Sequence, residues 1–255
     1  MEPAGISLKE RRIVVLISSI VITVTYWIVA LWYTNKTAYS KDLIVFRLLF
    51  DSFFANKKWM DLWQYIYQFG MIVLLFWLTP FLITKYYLRI KFSELGLGFP
   101  YNKQALMICA VAYSAVIAST YFSSQDPLIS SEYPLSKLIG TSWMVFIAYQ
   151  SAYLFYFIAY EIFYRGYLQF GLKGENSEAK EIVIIILIQT VLTTLFHTGK
   201  PTPEIISAAA FGPVFGYVAF RYNSIWYGMI IHFVMNVFLD LFSLHWLHLL
   251  PQKSF

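Results

Sequence analysis

The chain has 255 residues, of which 59% are hydrophobic, 20% aromatic and only 13% charged, and its mean hydropathy is +0.60. A soluble domain carries about 25% charge, and a chain of this length cannot hide so much apolar surface in one water-facing core. An ordinary cytosolic enzyme is therefore excluded, and so is a disordered or nucleic-acid-wrapping chain, which needs charge that is missing here. The net charge of +5 is spread over short stretches between apolar runs and reads as a topology signal.

A bilayer core of about 30 Å takes about 20 apolar residues in helix. Uncharged runs cover 13–35, 62–84, 104–125 and 138–160, and three shorter ones cover 182–198, 205–220 and 222–239. The expectation is an all-α, polytopic transmembrane bundle of about seven spans, one more or fewer being the margin. The basic flank Lys9, Arg11 and Arg12 is what a signal peptide would carry. The run behind it, however, exceeds the about 7 to 15 residues of a signal sequence and no small-residue cleavage site follows, so it reads as a retained first helix with a cytoplasmic amino terminus. Residues 43–54 are apolar but include Arg47 and Asp51; too short to span, they are predicted to form an interfacial helix. FSELGLGFP at 92–100 marks a loop between the second and third spans. The single cysteine, Cys109, has no partner for a disulfide or a metal cluster and is read as a core residue.

Ionisable groups inside or bordering apolar runs carry the functional information, because each costs about 2.5 to 3.5 kcal/mol to place in a membrane helix. The segment YEIFYRGYLQFGL at 160–172 places Glu161 and Arg165 four residues apart, on one helical face. One reading is an interfacial ion pair with a snorkelling arginine. The other is a carboxylate held charged by the guanidinium and facing a water-filled cavity, where it orients or deprotonates water. His197 closes the fifth run in LFHTGKPTPE, and His232 with Asn236 lies deep in the seventh, again four apart. Each of these alone reads equally as an interface residue or as interhelical glue. Together they predict one polar cavity suited to hydrolysis, with a carboxylate or histidine taking a proton from water and His232 with Asn236 donating to a developing oxyanion.

In the sixth run Ala208, Gly212 and Gly216 recur every four residues and predict a stripe for close helix approach, while Pro213 predicts a kink or break. Cysteine and serine nucleophiles lack the necessary context, and a His-Glu-x-x-His zinc motif is absent. No cofactor is expected; zinc held by Glu161, His197 and His232 is the alternative, since three ligands leave an open position.

At these residues the sequence resembles the CAAX protease and bacteriocin-processing (Abi) family of intramembrane endopeptidases, which includes the Ras-converting CAAX prenyl endopeptidases. The family pattern is Glu-Glu-x-x-x-Arg, then a histidine motif, then His-x-x-x-Asn. Glu161 and Arg165 with Gly166, His197 in FHTGKPTPE, and His232 with Asn236 match it in order, and FSELGL looks like the family's upstream Glu-Leu-Gly-Leu element. One departure is that the first glutamate of the pair falls at Tyr160. In the family's usual mechanism that glutamate, with the histidine of the second motif, activates water, and adjacent helical positions point about 100° apart, so Glu161 does not take its place.

The resemblance implies an intramembrane endopeptidase core at 92–245, behind a two-span extension at 1–91 and before a tail at 246–255. It implies that Glu161 and His197 position and activate water, Arg165 holds Glu161, and His232 with Asn236 stabilises the oxyanion. The expected partners are a membrane-associated peptide or protein substrate and the lipid bilayer, with no nucleic acid, and the expected location is a bacterial or archaeal plasma membrane. Tyr160 also leaves open a non-catalytic binding, immunity or scaffold protein. A small transporter with a polar proton path is a third reading, weakened by the lack of an inverted repeat.

Overall fold

A computed structural model describes residues 6–31, 33–36, 41–50, 59–98 and 101–251. Among them seven helices are long and apolar enough to cross a membrane: Leu8–Ala30, Met60–Leu88, Lys103–Ser123, Trp143–Phe170, Ala179–Phe196, Thr202–Tyr222 and Trp226–Trp246. The all-α bundle expected from hydropathy is present, and the protein is an integral, multi-pass membrane chain. Large apolar side chains such as Ile17, Val21, Val111, Leu187 and Val214 stay exposed along the spans, which is how a helix meets lipid rather than water.

The element ends differ from the apolar runs where polar groups find partners. The first helix stops at Ala30, and Tyr33–Lys36 pairs antiparallel with Lys41–Leu43, so the end of the run at 33–35 is hairpin instead of helix. Its residues Thr34 and Asn35 are poor helix formers. The interfacial segment forms a helix over Ile44–Phe50; its remainder, 51–54, lies outside the described residues. The seventh span runs past Asp240, which ended the apolar run in the sequence, because Gln150 Nε2 donates to Asp240 Oδ2 at 2.7 Å and makes burial of that carboxylate tolerable. The tail is helical as far as Trp246, and residues 252–255 lie outside the described part.

Helix ends are closed by side chains. Ser7 and Glu10 form a capping box at the start of the first span, and Asn102 and Ser142 cap the third and fourth, each accepting from a backbone N–H that has no helical partner. Arg11 and Arg12 are more than topology signals. Arg11 donates to the carbonyls of Phe170, Gly171 and Lys173 and Arg12 to that of Leu172, so the first span caps the carboxyl end of the fourth.

The fourth span is the axis of the bundle. From Ala159 to Leu172 every residue is buried, and after Glu161 the helix widens into a π-helical stretch, Ile162–Phe170, a form that recurs at functional sites. The first, second and fifth spans pack around it through an aromatic cluster containing Tyr26, Phe76, Phe163, Tyr164 and Phe196. The fifth and sixth spans lie close together because Gly212 and Gly216 leave room: a Cβ on Gly212 would meet Thr190 Cγ2 at 2.9 Å, and one on Gly216 would meet Gln189 Oε1 at 3.1 Å. The stripe predicted from the sequence therefore does its structural work at these two positions. The sixth helix continues through Pro213 without a break. Cys109 is buried against Tyr227 and Ile231 in a small core between the third and seventh spans, as read.

Candidate active site

Two polar clusters meet around the ring of Tyr160. The first is sealed in the bundle. Glu161 Oε1 accepts from Arg165 Nη1 at 3.0 Å and from His232 Nδ1 at 3.2 Å, and the Glu161 and Arg165 side chains are only 1% and 4% exposed. The i,i+4 pair was legible as one helical face; the contact with His232 crosses 71 positions of sequence and exists because the seventh span packs on the fourth. Gly228 lies at this contact, where a Cβ would make only ordinary contacts, 3.4 Å from Phe215 and 3.9 Å from Glu161 Oε2. Asn236, one turn beyond His232, is buried, and its Nδ2 donor has no hydrogen-bond partner.

The second cluster is half-open. His197 sits just beyond the end of the fifth span, where its Nδ1 donates to the Thr193 carbonyl at 2.7 Å. Its Nε2 faces Glu204 Oε1 at 3.8 Å, and the two side chains are 15% and 19% exposed. Burial pushes His197 below the ordinary histidine pKa of 6.5, outweighing the opposing pull of Glu204. Glu204 is presented by the first turn of the sixth span, which has Pro201 at its N-cap and Pro203 inside the first turn, and proline suits a helix start because its fixed φ and missing N–H cost nothing there. The buried Tyr133 phenol faces the same carboxylate; burial, and next to it the charge of Glu204, lifts its pKa well above the phenol range.

Tyr160 lies between the clusters. Its ring centroid is 5.4 Å from that of His232 and 6.5 Å from that of His197, and the Arg165 guanidinium stands 5.4 Å over it. The position at which the sequence departs from the two-glutamate pattern thus remains in contact with both histidines. Phe157 and Phe215 complete the apolar walls around His232.

All five residues singled out in the sequence therefore line one region, with a different pairing from the one the resemblance implied: Glu161 bonds His232, and His197 faces Glu204. The zinc trio is not assembled, and among the described residues no group of three or more His, Cys, Asp or Glu is placed to hold a metal ion. Glu204 and Asp240 were missed. Glu204 was visible as an acid bordering an apolar run seven positions after His197, and Asp240 continues the His232, Asn236 face by four more residues.

The 92–98 loop fixes the start of the seventh span. Backbone carbonyls of Gly96, Leu97 and Gly98 accept from Ile225 N at 3.0 Å, Trp226 Nε1 at 2.7 Å and Ser224 Oγ at 2.8 Å. Gly96 has φ of 66° and lies against Phe170, where a Cβ would come within 2.5 Å of Cε2, so the turn requires glycine.

Residues 139–238 match the family described as type II CAAX prenyl endopeptidase Rce1-like. No curated protein and no solved structure matches the chain. Tyr160, Glu161, Arg165, His197, Glu204, His232 and Asn236 all fall inside the matched residues, so the similarity to the Rce1-like family covers the side chains of both polar clusters except Tyr133.

Proposed function

We propose that the protein is an intramembrane endopeptidase that hydrolyses a peptide bond of a membrane-associated substrate with glutamate- and histidine-activated water. The observation that carries this reading is the Arg165–Glu161–His232 chain of hydrogen bonds set opposite a mostly buried His197 across one aromatic ring. An ion pair retained for stability alone is rarely superior to apolar packing, whereas a hydrolase needs fixed donors on one side of a carbonyl and a proton acceptor on the other.

The roles follow from the donors and acceptors. His197 Nδ1 carries the proton that the Thr193 carbonyl accepts, which leaves Nε2 of the neutral ring as a base for water. Glu161, paired with Arg165, orients His232 through Nδ1. The free Nδ2 of Asn236 is the donor to the oxyanion, and Nε2 of His232 joins it only in the doubly protonated ring, since Nδ1 already gives its hydrogen to Glu161. This scheme calls on no cofactor. The core at 92–245 holds every residue used, and the loop beginning it positions the seventh span.

The test is a comparison of membrane-protein termini in cells with the chain, without it, and with His197→Ala or His232→Ala at equal membrane levels. New termini present only with the wild-type chain are expected; the same termini with both variants would sink the reading. A second reading, a non-catalytic protein that binds a peptide, draws on Tyr160, which puts an aromatic ring where the resemblance places a glutamate. Tyr160→Glu separates the two: a large gain in cleavage over a near-silent wild type favours the binding protein.

A further inference from the structure

Under the hydrolytic reading, on which this inference rests, some carboxylate must share the attacking water with His197, and Glu161 is poorly placed to do so. Its Oε1 already accepts two hydrogen bonds, and its Oε2 is enclosed in the bundle. Glu204 also has an enclosed Oε2, but its other oxygen differs: Oε1 faces His197 Nε2 at 3.8 Å without a direct hydrogen bond. Glu204 has no salt bridge to Arg or Lys among the described residues, and its side chain is partly open.

The separation is informative. Thr193 O can only accept, so the proton of neutral His197 sits on Nδ1, and Nε2 presents a lone pair. Nε2 and Glu204 Oε1 are then two acceptors facing one another at 3.8 Å, too far for a direct hydrogen bond and suited to a bridging water. A water donating one O–H to each would keep an oxygen lone pair free to attack.

We propose that Glu204 is a catalytic residue, the carboxylate that together with His197 holds and deprotonates the attacking water, supplied by the sixth span in place of the glutamate missing at Tyr160. The step balances as an ordinary hydrolysis. The water oxygen forms a bond to the carbonyl carbon, its proton passes to the His197–Glu204 pair, and the carbonyl π electrons become the oxyanion. Collapse breaks the C–N bond, and the stored proton goes to the leaving amine, giving a carboxylic acid and an amine.

The experiment uses the full chain in isolated membranes and follows the chain-dependent termini. Glu204→Gln keeps size and hydrogen bonding but cannot take a proton. It should lower cleavage about 10²- to 10⁴-fold, the range typical of a general base, at unchanged membrane level and thermal unfolding. Glu204→Gly should recover part of the lost activity with added formate, a rescue that a purely structural role would not show and that keeps the test usable if the glutamine variant folds poorly. Wild-type cleavage by Glu204→Gln while His197→Ala is inactive overturns the role of Glu204 and leaves the endopeptidase standing. Loss in Glu204→Gln with no formate rescue of a folded Glu204→Gly also overturns it. Undiminished cleavage by His197→Ala overturns the hydrolytic reading itself and this proposal with it.

Discussion

The two halves of the site hold the same kinds of group in opposite conditions. On the fourth span, Glu161 and Arg165 are hydrogen-bonded to each other and shut away from solvent, and Glu161 also accepts from His232 of the seventh span, whose side chain is 16% exposed. Across Tyr160, His197 and Glu204 are neighbours without a direct bond, partly open, and mounted on the end of the fifth span and the first turn of the sixth. A buried, hydrogen-bonded ion pair suits fixed electrostatics, which act best where water is excluded. An open pair of acceptors suits proton transfer, which needs a water to work on. On the hydrolytic reading we propose, the deeply buried carboxylate is the scaffold of the site, and the shallower one is assigned the acid–base work.

Breaking the open half should have the largest effect. His197→Ala removes the acceptor for the water proton and is expected to lower cleavage about 10²- to 10⁴-fold with no change in thermal unfolding, since the ring is partly exposed. Breaking the sealed half should instead show in stability. Arg165→Met leaves Glu161 buried with only His232 as a partner, and about 3–5 kcal/mol should be lost, read as a lower unfolding temperature in detergent. Between the halves, Asn236→Ala removes an oxyanion donor and should slow cleavage about 10²- to 10³-fold without that loss of stability.

Smaller effects sharpen the contrast. Gly96→Ala forces a Cβ into Phe170 at a left-handed turn and should cost about 1–3 kcal/mol, loosening the loop that anchors Trp226 and with it the approach of His232. The smallest effect is on pH dependence. Burial lowers His197, Glu204 and the Thr193 carbonyl raise it, and His232 and Lys200 lower it again. The net displacement is downward, so the ring is neutral at pH 7, and cleavage should fall only at a pH below 6.5, where Nε2 becomes protonated. Glu204→Gln removes a raising charge, so the acid limb of its residual activity should move lower still; an upward move would contradict the pairing.

Much of this was readable from local spacing, and the remainder depended on contacts distant in sequence. Seven spans follow from apolar runs because the bilayer imposes a length, and Glu161–Arg165 and His232–Asn236 follow from the helical period of four. Glu161–His232 requires knowing which helices touch, which no single-span pattern contains. Glu204 escaped notice because a turn and two prolines separate it from His197, so no periodicity links them. Asp240 looked like the end of a span because its partner, Gln150, is on another helix. The basic residues Arg11 and Arg12 read correctly as flanking charge, yet their capping of the fourth span needed the tertiary structure.

The most direct test of the account is cleavage in isolated membranes suspended in ¹⁸O-labelled water, with the chain-dependent new carboxyl termini weighed by mass spectrometry. Water attack governed by the open half predicts ¹⁸O in each new carboxylate with the wild-type chain and no labelled termini with His197→Ala. Equal labelling in both, or chain-dependent termini that carry no label, would contradict it.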